Sequence, residues 1–113
     1  MKPGYVPERG DVVWLDFDPH AGHEQAGHRP AFVLSPATYN GKTGLMLCCP
    51  ITSQVKGYPF EVTVDGTAKI RGVILADQVK SLDWQVRKAE KKGKVAQKVL
   101  EEVIDKIRAI LEG

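Results

Sequence analysis

A mainly β, α+β fold is predicted: a small curved antiparallel barrel with one amphipathic helix packed on it at the C-terminal end. Three observations predict it. Short apolar stretches rich in β-branched residues recur between Gly, Pro, Asn and Asp clusters. From Ala96 the period changes, and apolar residues return at steps of three and four. At 113 residues, with 27% charged and 42% apolar, the chain can bury one core without disulfide or metal staples and reads as one domain over 1–113.

The first strand is expected over residues 11–18, where Val12, Val13, Trp14, Leu15 and Phe17 mix alternation with β-branched and aromatic residues, until Pro19 and Gly22 stop it. A polar loop follows. Proline sits at a strand's first position or on an edge, so Pro30 marks the start of a second strand over 31–34. Asn40-Gly41 and Lys42-Thr43-Gly44 read as turn chemistry leading into a third strand over 45–52.

Past the polar residues 53–59, period two places Phe60, Val62 and Val64 on one face of a fourth strand. Asp65-Gly66 is a turn. Residues 72–76 form another strand that runs on toward Trp84, and a short strand at 85–88 precedes a basic turn, Lys91-Lys92-Gly93-Lys94. In the helix, Leu100, Val103, Ile104, Ile107, Ile110 and Leu111 make the apolar stripe, with Glu101, Glu102, Asp105, Lys106 and Arg108 opposite and Gly113 as the stop.

No apolar run approaches the roughly 20 residues that a membrane-spanning helix needs, and the N-terminus lacks a signal-peptide stretch, so a cytoplasmic protein without a membrane partner is expected. The cysteines are the adjacent pair Cys48 and Cys49. Neighbours in a strand point to opposite faces, so these thiols are expected to be small core residues rather than a disulfide. A net charge of +2 permits a nucleic-acid partner without demanding one.

The densest site chemistry lies in the loop between the first two strands, which carries His20, His23, Glu24, Gln25, His28 and Arg29. An acceptor, a titratable ring and a permanent cation are the groups a proton transfer at a phosphate needs. The same residues have a structural reading, in which Arg29 pairs with Glu24 to hold the loop. Thr52, at the end of the third strand, is open to two readings as well: turn chemistry with Ser53, or a hydroxyl donor to a phosphate oxygen. The basic residues Lys56, Lys80, Arg87, Lys88, Lys91, Lys92 and Lys94, with Phe17, Tyr58 and Trp84, are either a groove for single-stranded nucleic acid or solvated surface. Trp14 is expected in the core. The histidine spacing matches no zinc pattern, and no phosphate-binding glycine motif or dinucleotide fingerprint occurs, so neither metal nor cofactor is expected.

Several ordered motifs together carry a resemblance. Residues 10–19 read GDVVWLDFDP and residues 24–31 read EQAGHRPA; they are followed by VLSP at 33–36, PIT at 50–52, KGYPF at 56–60 and ADQVKS at 76–81. In these the chain resembles the MazF toxins of type II toxin–antitoxin systems, from about Tyr5 to the terminal helix. That resemblance implies an SH3-like or gyrase-poison-like barrel, a homodimer, and a metal-independent endoribonuclease cutting single-stranded mRNA. It further implies neutralisation by a cognate, MazE-like antitoxin with an acidic C-terminal tail. Carried over by position, the catalytic set is Arg29, Thr52 and Glu24, with auxiliary catalytic or RNA-binding parts for His28, Gln25, Lys56, Phe17, Gln78 and Arg87. A site containing ACA is the implied target, and a non-catalytic gyrase binder of the same fold is the alternative.

Overall fold

The computed structural model describes residues 4–16, 28–64 and 70–113. Among the described residues, seven strands and two helices follow in the order β1 (Asp11–Asp16), β2 (His28–Val33), α1 (Ala37–Thr43), β3 (Leu45–Thr52), β4 (Glu61–Thr63), β5 (Val73–Leu75), β6 (Lys80–Asp83), β7 (Glu90–Lys94) and α2 (Gln97–Glu112). The strands form one antiparallel sheet in the order β4-β5-β3-β2-β1-β7, with β6 also on β3. β3 is the hub, because its eight residues meet β6 at Leu45 to Cys48, β2 at Cys48 to Pro50 and β5 at Ile51 and Thr52.

Both faces of the sheet are covered, which is why β1 and β3 read as nearly continuous apolar runs rather than clean alternation. On one face Val12, Phe32, Cys49, Ile51, Val62, Val64 and Ile74 meet Val99 and Val103 of α2. On the other, Val13, Leu15, Ala31, Val33, Met46 and Cys48 meet Trp84. The adjacent cysteines thus enter different clusters, both buried and both free. Phe32 and Ile74 are fully enclosed, and burials of that kind stabilise by roughly 1.5–3 kcal/mol per side chain.

Four sequence expectations are corrected. The Asn40-Gly41 turn is α1, because Asn40 is buried: its Nδ2 donates to Pro7 O at 2.7 Å and Ser35 O at 2.9 Å, its Oδ1 accepts from Ser35 Oγ at 2.6 Å, and Gly44 ends the helix at φ 75°. The basic turn at 91–94 is β7, an edge strand on β1. Two of its lysines meet the buried Asp11 carboxylate, Lys94 Nζ at 3.3 Å and Lys91 Nζ at 3.7 Å, and charged edge strands resist further pairing. The strand expected at 85–88 is a turn, since Asp83 Oδ1 accepts the N–H groups of Gln85 and Val86. β5 does not run on to Trp84 but ends at Leu75, where the Gln78 N–H returns to the Leu75 carbonyl before β6 begins.

The helix stands as expected in position. Its stripe is Val99, Leu100, Val103 and Ile107, whereas Ile110 and Leu111 in the last turn are exposed. Among the described residues, no helix is long and apolar enough to cross a membrane.

Candidate active site

β2 and β3 are paired from Val33 opposite Cys48 to Ala31 opposite Pro50. There the ladder stops, because Pro30 and Pro50 have no N–H to give. Beyond that point, among the described residues, β2 keeps β1 alone, with Arg29 opposite Leu15 and His28 opposite Asp16. β3 turns instead to β5, with Thr52 opposite Val73. Pro30 therefore lies inside β2 rather than at its start as expected, on the stretch where the strand has one open edge.

The two strands part around an open cleft of about 590 Å³. Trp14, Arg29 and Pro30 line one side, Ile51, Thr52, Ser53 and Gln54 the other, and Ile70 and Arg71 complete it. Arg29 and Thr52 both line it, one from each strand. Two residues 23 apart in sequence are thereby brought to one opening.

Thr52 is half-buried, and its Oγ1 accepts the Gln54 N–H at 3.1 Å. That is the turn chemistry the sequence suggested, and it leaves the hydroxyl proton able to donate outward. Behind it stands Gly72 at φ 131°, so close that a Cβ there would overlap the Thr52 carbonyl oxygen and carbon. Only glycine combines that dihedral with that approach. The Gly72 carbonyl also accepts the Val64 N–H, so the Thr52 backbone rests on a fixed support.

His28 and Arg29 are strand neighbours and project to opposite faces. His28 Nε2 meets Asp16 Oδ1 at 3.0 Å, and its ring is tilted 54° to Trp14 with centroids 6.3 Å apart. A carboxylate on Nε2 favours the tautomer with its proton there and leaves Nδ1 as the acceptor. Arg87 Nη1 donates to the Asp16 carbonyl at 3.3 Å, and the Asp16 N–H returns to the Arg87 carbonyl at 2.9 Å. His28, Asp16 and Arg87 thus form one cluster at the open end of β1.

Lys56 lies on the exposed loop after β3, where Glu61 accepts the N–H groups of Lys56 and Gly57 at 3.0 Å each. Its ammonium is 6.0 Å from the Tyr58 ring centroid. Gln78 is exposed at the β5–β6 turn. Neither they nor Arg87 and His28 are among the described residues lining the cleft. Glu24, Gln25 and Phe17, like His20 and His23, lie outside the described residues, as does the suggested Arg29–Glu24 pair.

The two tryptophans exchange their expected places. Trp14, expected in the core, is half-buried on the cleft. Trp84, grouped with the groove aromatics, is buried, and its Nε1 donates to the Asn40 carbonyl at 2.9 Å. Arg71, Gly72 and Asp16 escaped the sequence reading. For Gly72 a signal was present, since an isolated glycine in a strand pattern marks a bulge or a close backbone approach. Burial pushes both cysteine thiols up to about 12, which removes them as nucleophiles near neutral pH. Among the described residues, no group of three His, Cys, Asp or Glu side chains could hold a metal ion.

The sequence profile described as PemK-like, MazF-like toxin of type II toxin-antitoxin system matches residues 8–111. The chain is 57% identical over 111 residues to the endoribonuclease toxin MazF of Escherichia coli K12, covering 98% of this chain and 99% of that protein. With the endoribonuclease toxin ChpB of the same strain it shares 37% over 111 residues, 93% of this chain and 94% of ChpB. A crystal structure of MazF from Deinococcus radiodurans superposes with a TM-score of 0.85 at 55% identity, covering 96% of this chain and 99% of the other. One of a MazE-MazF complex from the same organism superposes at 0.87 and 53%, covering 96% and 98%. With the profile spanning nearly the whole chain, this protein belongs to the PemK-like, MazF-like toxins of type II toxin-antitoxin systems.

Proposed function

We propose that the chain is an endoribonuclease toxin that cuts single-stranded RNA at the cleft between β2 and β3, and that a cognate antitoxin restrains it. The observation that carries this reading is the meeting of Arg29 and Thr52 at one opening. The enzyme class and the antitoxin are supported by the near-full-length likeness to endoribonuclease toxins and to a MazE-MazF complex.

The cleavage is an attack by a ribose 2′-oxygen on the adjacent phosphorus, breaking the bond to the 5′-oxygen and leaving a 2′,3′-cyclic phosphate and a 5′-hydroxyl. A base takes the 2′-hydroxyl proton, and the departing 5′-oxygen takes one in return. Arg29 stays protonated at neutral pH, so it stabilises the charge that builds on the phosphoryl oxygens. Thr52 donates a hydrogen bond to the same phosphate. Glu24 is the base or the group that orients it. His28 is auxiliary, with Nε2 engaged by Asp16. Gln25, Lys56, Phe17, Gln78 and Arg87 hold flanking nucleotides. The resemblance at 24–30 and 56–60 favours a target containing ACA, and the family resemblance along the chain favours a homodimer with RNA across its interface and an acidic antitoxin tail in place of the RNA.

The test incubates the purified protein with single-stranded RNA in EDTA and maps the ends. Cyclic phosphate and 5′-hydroxyl termini are expected from wild type, and Arg29→Ala should cut on the order of 10²–10³-fold more slowly. Identical behaviour of the two proteins, or no cleavage of any RNA as expected of a gyrase binder of this fold, would overturn the reading. A 2′-deoxy nucleotide before the cut should abolish cleavage; persistence would reject the 2′-oxygen as nucleophile.

A further inference from the structure

The cleft holds a second guanidinium. Arg71, on the segment entering β5, lines the same opening as Arg29 and Thr52. It is exposed and makes no ion pair or hydrogen bond among the described residues. Its backbone is nonetheless well placed relative to Thr52. The next residue, Gly72, presses on the Thr52 carbonyl, and Val73 pairs directly with Thr52. No described residue lining the cleft is a carboxylate. Two guanidiniums lining one opening favour an anion long enough to touch both.

We propose that Arg71 binds a phosphate flanking the one that is cleaved, so that the RNA backbone is held by guanidiniums on both sides of the cleft. This rests on the RNA-cleaving reading of the site. Arg29 acts where charge develops during the reaction. Arg71 acts on a phosphate whose charge does not change, so its contribution is equal in ground and transition states. Uniform binding of that kind lowers KM without raising kcat.

The test compares wild type, Arg71→Ala, Arg71→Lys and the exposed helix control Lys98→Ala on one RNA strand across a salt series. Arg71→Ala should raise KM about tenfold at low salt, leave kcat within about twofold, and reduce the slope of log KM against log salt by about 0.7. Arg71→Lys should recover the slope and part of the KM, and Lys98→Ala should change neither. A methylphosphonate placed at each flanking phosphate in turn should raise KM for wild type at one position, and at that position add nothing for Arg71→Ala. Unchanged KM and slope in Arg71→Ala, or equal methylphosphonate losses in both proteins at every position, would overturn the proposal. Fluorescence anisotropy with a non-cleavable 2′-O-methyl strand repeats the comparison without chemistry. Wild type that cuts nothing would reject the cleavage reading, while the Arg71 contact would still be decided by binding.

Discussion

The two halves of the β2–β3 pair make a direct comparison. From Ala31 to Val33 the strand is sandwiched between β1 and β3, and all three residues are buried. From His28 to Pro30 it keeps one partner strand among the described residues, and His28 and Arg29 are exposed. The chain is continuous and the backbone is extended in both. What differs is the second hydrogen-bonded neighbour, and its loss at Pro30 and Pro50 opens the wall where the reactive groups stand. One half of the strand contributes stability and the other half holds the chemistry.

That division should be sharpest in its extremes. Phe32→Ala in the closed half should cost about 3–5 kcal/mol by urea unfolding, while the cleavage rate per folded molecule stays near wild type. Thr52→Val at the open end should reverse the pattern, cutting single-turnover cleavage on the order of 10²–10³-fold with about 1 kcal/mol lost for the Gln54 bond. If both variants lost stability and activity in parallel, the two halves would not be separable.

Gly72→Ala is expected to break the separation, because it strains a backbone at φ 131° and displaces Thr52 at once. It should destabilise by about 1–3 kcal/mol and slow cleavage in the folded fraction. A stability loss with an unchanged rate would show that the Thr52 support is not part of the site.

The tryptophans extend the comparison to side chains. Trp84→Phe removes the indole donor from the buried Asn40 carbonyl and should cost roughly 1–3 kcal/mol. Trp14→Phe, on the cleft, should stay within about 0.5 kcal/mol of wild type in stability. Equal losses would place Trp14 in the core after all.

The smallest effect concerns Cys48 and Cys49. With both thiols pushed up to about 12 from 9.0, native alkylation at pH 8 should be about 10³-fold slower than for a free thiol. The native state then keeps protons that the unfolded chain releases above about pH 9, so this contribution to stability is present below pH 9 and fades as pH rises toward 12. Rapid labelling of the folded protein would contradict it.

Much was legible in local order. The apolar runs around Val12, Phe32 and Cys48-Cys49, the alternation through Val62 and Val64, and the helical period from Leu100 to Ile107 each report which face of an element meets a core. Such periods are properties of neighbouring residues. Glu24 and Arg29 stood out as loop chemistry and Thr52 as one of two readings, but their joining as one catalytic set entered through resemblance, because a cation and a hydroxyl 23 positions apart have no spacing that identifies them.

Other features depend on distant partners, and local propensity could not reveal them. Lysines at 91–94 look like a turn until the Asp11 carboxylate is set beside them. Asn40 looks like one until Ser35, Pro7 and Trp84 enclose it. The sequence by itself determined the strand and helix faces, since these follow from spacing along the backbone. Only the tertiary structure decided that Trp14 borders the cleft while Trp84 fills the core, that Arg71 joins Arg29, and that Gly72 supports Thr52, because strand register and the two prolines that end it set which side chains share a space.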